Sequence, residues 1–252
     1  MNLTQKAYSG LRTIVNGIFK YAKKKHYSEI SITNFMGDLD LSRRSFKKNI
    51  KNKENEVYQE CEIEKLISYF RNNAEDIKCQ GLLLIFETGV RIGELCGLKP
   101  EDINNDYIHI QRTEVKYKDE RNKWVMKVRD CPKSEAGDRY IIINENAIET
   151  IKNIMCVREN GEYLFMENGK RINSNGFRRK LEKVCNILNI KYKSNHKIRK
   201  TYGTMLIDNG VDESIVAEQM GHVDFSTTKQ YYYFSNKSEE KKREQICRAI
   251  SV

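Results

Sequence analysis

Six side chains spread along this chain have the types needed to cut a phosphate ester: Arg91, Lys133, His196, Arg199, His222 and Tyr231. His196 and Arg199 stand three apart, so a helix would put both on one face. Gly203, four beyond Arg199, would let a neighbour approach that face closely. His222 follows Gly221 in an expected turn between helices, and Tyr231 comes nine residues later. Arg91 falls in a break after Gly89, with Glu94 three residues on. Lys133 stands beside an expected turn at Ser134–Asp138.

Phosphoryl transfer suits this set. Guanidinium groups stay charged and can clamp the nonbridging oxygens of a pentavalent phosphate in a bidentate fork. A phenol can attack covalently, and a lysine or histidine can move the protons. Taken singly, each of these residues more often plays a structural part, so the weight lies in their joint arrangement. The chain has no GxGxxG, no phosphate-binding loop ending in GK[ST], no HExxH and four histidines in all. No metal or nucleotide cofactor is therefore expected.

The elements that must position these groups follow from periodicity. Apolar residues recur at helical steps in 3–25, where Lys23, Lys24 and Lys25 complement the negative end of the helix dipole. Residues 41–56 are polar and charged and read as a linker. Helices are expected at Glu62–Arg71, Ile77–Glu87 and Ile92–Leu98, with Gly89 as a left-handed cap between the last two. Between Tyr107 and Asn144 the period becomes two, which predicts one small antiparallel sheet. Helical spacing returns at Ala147–Val157, Gly176–Leu188, Lys197–Asn209 and Glu213–Met220. Two further short helices are expected near Thr227–Phe234 and Glu239–Ile250. The fold class expected is α+β and mostly α-helical, with residues 1–50 a partial helical region with its linker and residues 51–252 the main domain.

The 252 residues carry a net charge of +10, unevenly placed. Residues 1–53 and 171–200 each hold +9, and the remainder is −8. Two basic blocks on a mildly acidic remainder point to a polyanion, of which DNA or RNA is the commonest. The seven cysteines form no CxxC pair, so reduced thiols are expected. No stretch has a signal-peptide core or the length of a membrane span, so a soluble, cytoplasmic protein without a membrane partner is expected.

With these residues in view, the chain resembles the tyrosine recombinases, the phage integrase family. Thr88 through Leu95 followed by Leu98 is similar to the family's TGxRxxEL..L box. Cys131 through Arg139 resembles its lysine hairpin, and His196 through Gly203 its HxLRHTxAT box. Met220 through Tyr231 resembles LGHxxxSTTxxY, and this spacing selects Tyr231 over Tyr232 and Tyr233. The resemblance covers about residues 57–235. Ser134 departs from a frequent threonine, and Lys200 from a frequent histidine.

The resemblance implies a catalytic domain with a small antiparallel sheet, preceded by a helical remnant of the core-binding domain. The first half of that domain, and any arm-binding domain before it, would be absent here. Arg91 and Arg199 would hold the scissile phosphate. Tyr231 would attack phosphorus and expel the 5′ oxygen, leaving a 3′-phosphotyrosine. Lys133 would protonate the leaving oxygen. His196 would take the tyrosine proton or orient the phosphate, and His222 would donate to a nonbridging oxygen. Glu94 would brace the arginines and His196. Arg178, Arg179, Lys180, Lys183, Lys197 and Lys200 would lie along the DNA backbone. The implied partners are double-stranded DNA attachment sites and three further copies in a tetramer, with accessory DNA-bending or directionality proteins. A type IB topoisomerase, or a DNA-binding regulator that has lost catalysis, is the alternative.

Overall fold

A computed structural model describes residues 3–30, 32–37, 45–47, 55–130 and 138–221, together with 237, 240, 241, 243 and 247. The chain forms two units, Met1–Lys51 and Asn52–Val252. In the first, α1 (Gln5–Lys24) begins at Thr4, whose hydroxyl accepts from the Ala7 amide at 3.2 Å. It ends on Lys23 and Lys24, and no residue of α1 is buried. A short α2 (Ile32–Gly37) follows.

The second unit is built around α4 (Ile77–Thr88). Its sequence is apolar on every side, so it needs neighbours on every side. They are α3 (Glu60–Arg71), α6 (Glu145–Val157), α7 (Ser174–Ile187) and α8 (Asn195–Asp208). Asp76 caps α4 through the amides of Lys78 at 2.9 Å and Cys79 at 3.2 Å. The helix approaches α7 so closely that a methyl on Gly81 would meet the Phe177 ring at 2.5 Å. Leu66, Phe70, Leu82, Phe86, Ile154 and Leu181 are among the buried residues of this core.

The strand region has more than one sheet. β1 (Tyr107–Ile110) pairs antiparallel with β4 (Arg139–Ile142), and β2 (Thr113–Lys118) pairs with β3 (Trp124–Arg129). A third ladder joins β5 (Met166–Glu167) to β6 (Lys170–Arg171), where no strands were expected. The small antiparallel structure anticipated between Tyr107 and Asn144 is thus present but divided into two two-stranded ladders, and among the described residues the third lies outside that stretch. The reason is locality. β2 and β3, neither of which has a buried residue, close on each other through a turn at 119–123, which leaves β1, with Ile108 and Ile110 buried, to pair with β4 across residues 111–138. The turn anticipated at Ser134–Asp138 lies outside the described residues except for Asp138. That carboxylate pairs with His109 at 2.8 Å.

α5 (Ile92–Gly97) and α9 (Glu213–Met220) also belong to this unit. The helix expected at Thr227–Phe234 lies outside the described residues. Of the one expected at Glu239–Ile250, Glu240, Lys241, Arg243 and Cys247 are described, and all four are helical. Lys241 pairs with Glu60 at the start of α3. The fold is α+β, mostly helical, with small antiparallel sheets. No helix among the described residues is long and apolar enough to cross a membrane.

Candidate active site

Gly89 ends α4 at φ 65°, a left-handed conformation that costs a residue with a Cβ about 1–2 kcal/mol. A Cβ there would also meet the Tyr202 ring of α8 at 2.3 Å. Gly89→Ala should therefore lower stability by roughly 2–4 kcal/mol, adding strain to overpacking. Urea unfolding checks this, and an unchanged midpoint would show that the α4–α8 contact is looser than described. The bend turns the chain so that Arg91 becomes the N-cap of α5.

Four charged side chains meet beyond this bend. Glu94 is 4% exposed. Its Oε2 accepts from the Arg91 amide at 2.9 Å and its Oε1 from Arg91 Nη1 at 2.7 Å. Arg139, also buried, reaches the same two oxygens from the other side, Nη1 to Oε1 at 3.0 Å and Nη2 to Oε2 at 2.9 Å. Arg199 donates from Nη1 to the Gly89 carbonyl at 2.6 Å and from Nη2 to the Met220 carbonyl.

All three guanidiniums end on the last turn of α9. Arg139 Nε donates to the Gln219 carbonyl at 3.1 Å, Arg199 to Met220, and Arg91 Nη2 to Gly221 at 2.7 Å. Cations are favoured at a helix C-terminus, where the dipole is negative. Gly221 closes α9 at φ 59° and is the residue before His222. The Gln219 side chain ties this turn to β4, accepting from the Ile142 amide at 3.1 Å and donating to the Ile142 carbonyl at 2.8 Å.

Burial works against the Glu94 charge, but hydrogen bonds from Arg139 and the charges of Arg139, Arg91 and Arg199 overcome it. Its pKa is held down from 4.5 to about 2. A depressed carboxyl stabilises the fold above its unfolded pKa, and that stability is lost as pH falls through the folded value. Glu94 should therefore contribute about 3 kcal/mol at neutral pH, fading between about pH 4.5 and 2. Unfolding free energies measured at pH 5 and pH 3 should converge for Glu94→Gln and the wild type as acid is added. A constant gap would contradict the assignment.

His196 is exposed in the first turn of α8, three residues before Arg199. Desolvation, followed by the charges of Arg199, Lys197, Lys200 and Arg91, lowers its pKa below 6.5. The imidazole is thus held toward its neutral form. Arg91, Glu94 and Arg199 come together as described, with His196 on the same helix as Arg199. Lys133, His222 and Tyr231 lie outside the described residues.

The basic surface is smaller than its sequence suggests. Arg178, Arg179 and Lys183 are exposed on α7. A cleft of about 750 Å³ opens at the start of that helix, lined by Lys170, Arg179, Lys180 and Lys183 beside Asp76 and Glu167. Lys180 pairs with Asp76 at 2.6 Å. Lys200, expected on the DNA backbone, is instead 3% exposed and paired with Glu56. Lys197 shares that carboxylate at 2.8 Å. Arg171 and Lys193 are likewise paired, with Glu114 at 2.5 Å and Glu62 at 2.5 Å. The physical reason is that a buried ammonium needs a counter-charge, and carboxylates distant in sequence supply it.

Arg139 is the residue whose importance the sequence least disclosed. Its signal was strand parity: it shares the buried face of β4 with Ile141, while Tyr140 and Ile142 face outward. A charge on that face must find a partner.

Residues 56–239 match the model of the phage integrase family. The chain is 30% identical over 166 residues to tyrosine recombinase XerC of Corynebacterium glutamicum, covering 64% of this chain and 48% of that protein. It is 30% identical over 155 residues to XerA of Pyrococcus furiosus, covering 60% and 48%. The chain thus spans about half the length of the curated relatives it matches. In fold it is similar to the Tn1549 transposon integrase solved with circular intermediate DNA, with a TM-score of 0.71 at 17% identity, over 98% of this chain and 80% of that one. A lambda integrase dimer bound to a core site gives 0.60 at 13% identity, over 90% and 72%. The bend that presents Arg91, the helix that carries His196 and Arg199, and a family match over most of the sequence lead to one conclusion: this chain belongs to the phage integrase family.

Proposed function

We propose that this chain cleaves and rejoins DNA as a site-specific recombinase, through a phosphodiester transferred to Tyr231. One observation carries the reading most directly. Arg91 and Arg199, far apart in sequence, bring their guanidiniums to adjacent carbonyls at Gly221 and Met220. Two forks held side by side suit the nonbridging oxygens of one phosphate.

On this reading the Tyr231 oxygen attacks phosphorus as the 5′ oxygen leaves, and the phosphorus–oxygen bond energy is retained in the 3′-phosphotyrosine. Lys133 gives the leaving oxygen its proton. His196, kept neutral by its surroundings, can accept the tyrosine proton, and His222 donates to a nonbridging oxygen. Glu94 braces Arg91. A 5′-hydroxyl from a partner strand then reverses the step and rejoins the backbone.

DNA would approach the exposed face of α7, where Arg178, Arg179 and Lys183 can neutralise phosphates and Lys180 lines the cleft. Such contacts fix position and not base sequence. Residues 1–50 would be the last part of a core-binding domain and residues 51–252 the catalytic domain, acting as a tetramer in the cytoplasm on paired attachment sites with accessory DNA-bending proteins. By analogy in fold with a transposon integrase, the chain would serve a phage or conjugative transposon.

The test is a suicide substrate. A pool of nicked duplexes with randomised arms traps any covalent intermediate, because the short fragment beyond the nick diffuses away. An SDS-stable protein–DNA adduct formed in the presence of EDTA is expected. Absence of adduct with every duplex, at protein concentrations that bind DNA, would sink the proposal.

A further inference from the structure

We propose that Arg139 is a positioning residue for DNA cleavage, holding the Arg91 guanidinium and the exit from α9 in register through Glu94 and Gln219. The inference rests on Arg91 being a phosphate clamp. Arg139 is 7% exposed, and a charge so placed is strongly destabilising unless it is paired. Three donors of one guanidinium are used at once: Nη1 and Nη2 on the two Glu94 oxygens, and Nε on the Gln219 carbonyl. Only a rigid planar fork satisfies all three; an ammonium on a flexible stem could not.

The geometry says what this fork does for its neighbours. Each Glu94 oxygen is shared between the two arginines, Oε1 between Arg139 Nη1 and Arg91 Nη1, and Oε2 between Arg139 Nη2 and the Arg91 amide. With Arg139 in place the carboxylate plane is fixed, so Arg91 keeps Nη2 on the Gly221 carbonyl. Without it, Glu94 is a buried carboxylate whose nearest remaining counter-charge is Arg91. Arg91 would be drawn onto it, and the fork would leave the α9 turn. Arg139 also joins β4, which follows the Lys133 segment in sequence, to the turn that precedes His222. Three stretches carrying proposed catalytic groups are thereby tied through one side chain.

The experiment compares wild type, Arg139→Lys, Arg91→Lys and the double variant. Adduct formation is followed in single turnover on a nicked duplex recovered from the randomised pool, with affinity for the intact duplex and the unfolding midpoint measured alongside. Arg139→Lys should bind duplex within about threefold of wild type yet form adduct about 100-fold more slowly, the scale of a displaced catalytic group. In the Arg91→Lys background the same change should cost only a few-fold, because the effect passes through Arg91. A wild-type rate in Arg139→Lys, or an undiminished loss in the double variant, overturns the proposal. If Arg139→Lys does not fold, the paired exchange Arg139→Met with Glu94→Gln removes both charges together and replaces it. That pair must be folded but slow, and a normal rate again overturns the inference. A readout without cleavage separates this idea from the recombinase reading. In protein labelled with ¹⁵N at arginine, Arg139→Lys should shift the Nε–H resonance of Arg91. An unmoved resonance refutes the positioning role even if no duplex is cut.

Discussion

Tyr231→Phe is expected to leave no detectable covalent adduct, a fall of about 10⁴-fold or more, because the attacking atom itself is removed. Duplex affinity should stay within about twofold, since one hydroxyl would add little to binding carried by many phosphate contacts. The pairing of these results is what matters. A nucleophile deletion separates chemistry from binding, whereas a misfolded variant loses both. Tyr232→Phe and Tyr233→Phe serve as controls, because in the helix expected at Thr227–Phe234 neighbouring positions would point about 100° apart and could not share one phosphate. Adduct that persists in Tyr231→Phe and disappears in Tyr232→Phe would move the nucleophile by one residue. Adduct that persists in all three would remove tyrosine from the mechanism.

Arg199→Ala should have the second largest effect. The guanidinium is a proposed phosphate clamp, and loss of one preorganised charge-stabilising donor costs about 10²–10³-fold in rate. It is also a structural link, joining the Gly89 carbonyl to the Met220 carbonyl. Its removal should lower stability by roughly 2–4 kcal/mol, the scale of breaking a buried charged hydrogen-bond network. Arg199→Lys separates the two roles. Its ammonium keeps the charge and can reach one carbonyl, so part of the stability returns. The planar fork is lost, so cleavage should remain about 10²-fold slow. Measured cleavage rates and urea midpoints that fall in strict proportion across both variants would reduce Arg199 to a structural residue.

The parts of the site that were legible in the sequence obey local rules. Gly89 announces a left-handed cap, Arg91 follows it by two residues, and three-residue spacing puts His196 and Arg199 on one helix face. Helices α3 to α9 were likewise readable to within a few residues, because apolar spacing and caps are properties of neighbouring residues. What was not legible depends on partners distant in sequence. Lys200 looks like any surface lysine until Glu56, 144 residues earlier, is seen beside it. The β1–β4 pairing crosses a hairpin that pairs with itself, and no periodicity shows which strand is whose partner. Arg139 finds Glu94 45 residues away, and only its inward parity hinted at a buried role.

The three carbonyls that close α9 have a thermodynamic corollary. An eight-residue helix is too short to persist on its own hydrogen bonds. Its final turn is held by the guanidiniums of Arg91, Arg139 and Arg199, and a phosphate bound as proposed would call on N–H groups of Arg91 and Arg199. Anion affinity and the integrity of that turn are therefore linked quantities, and a change in one must appear in the other. A polyanion entering here would not meet an inert cradle, because some of the donors it would use are already engaged by the protein's own backbone.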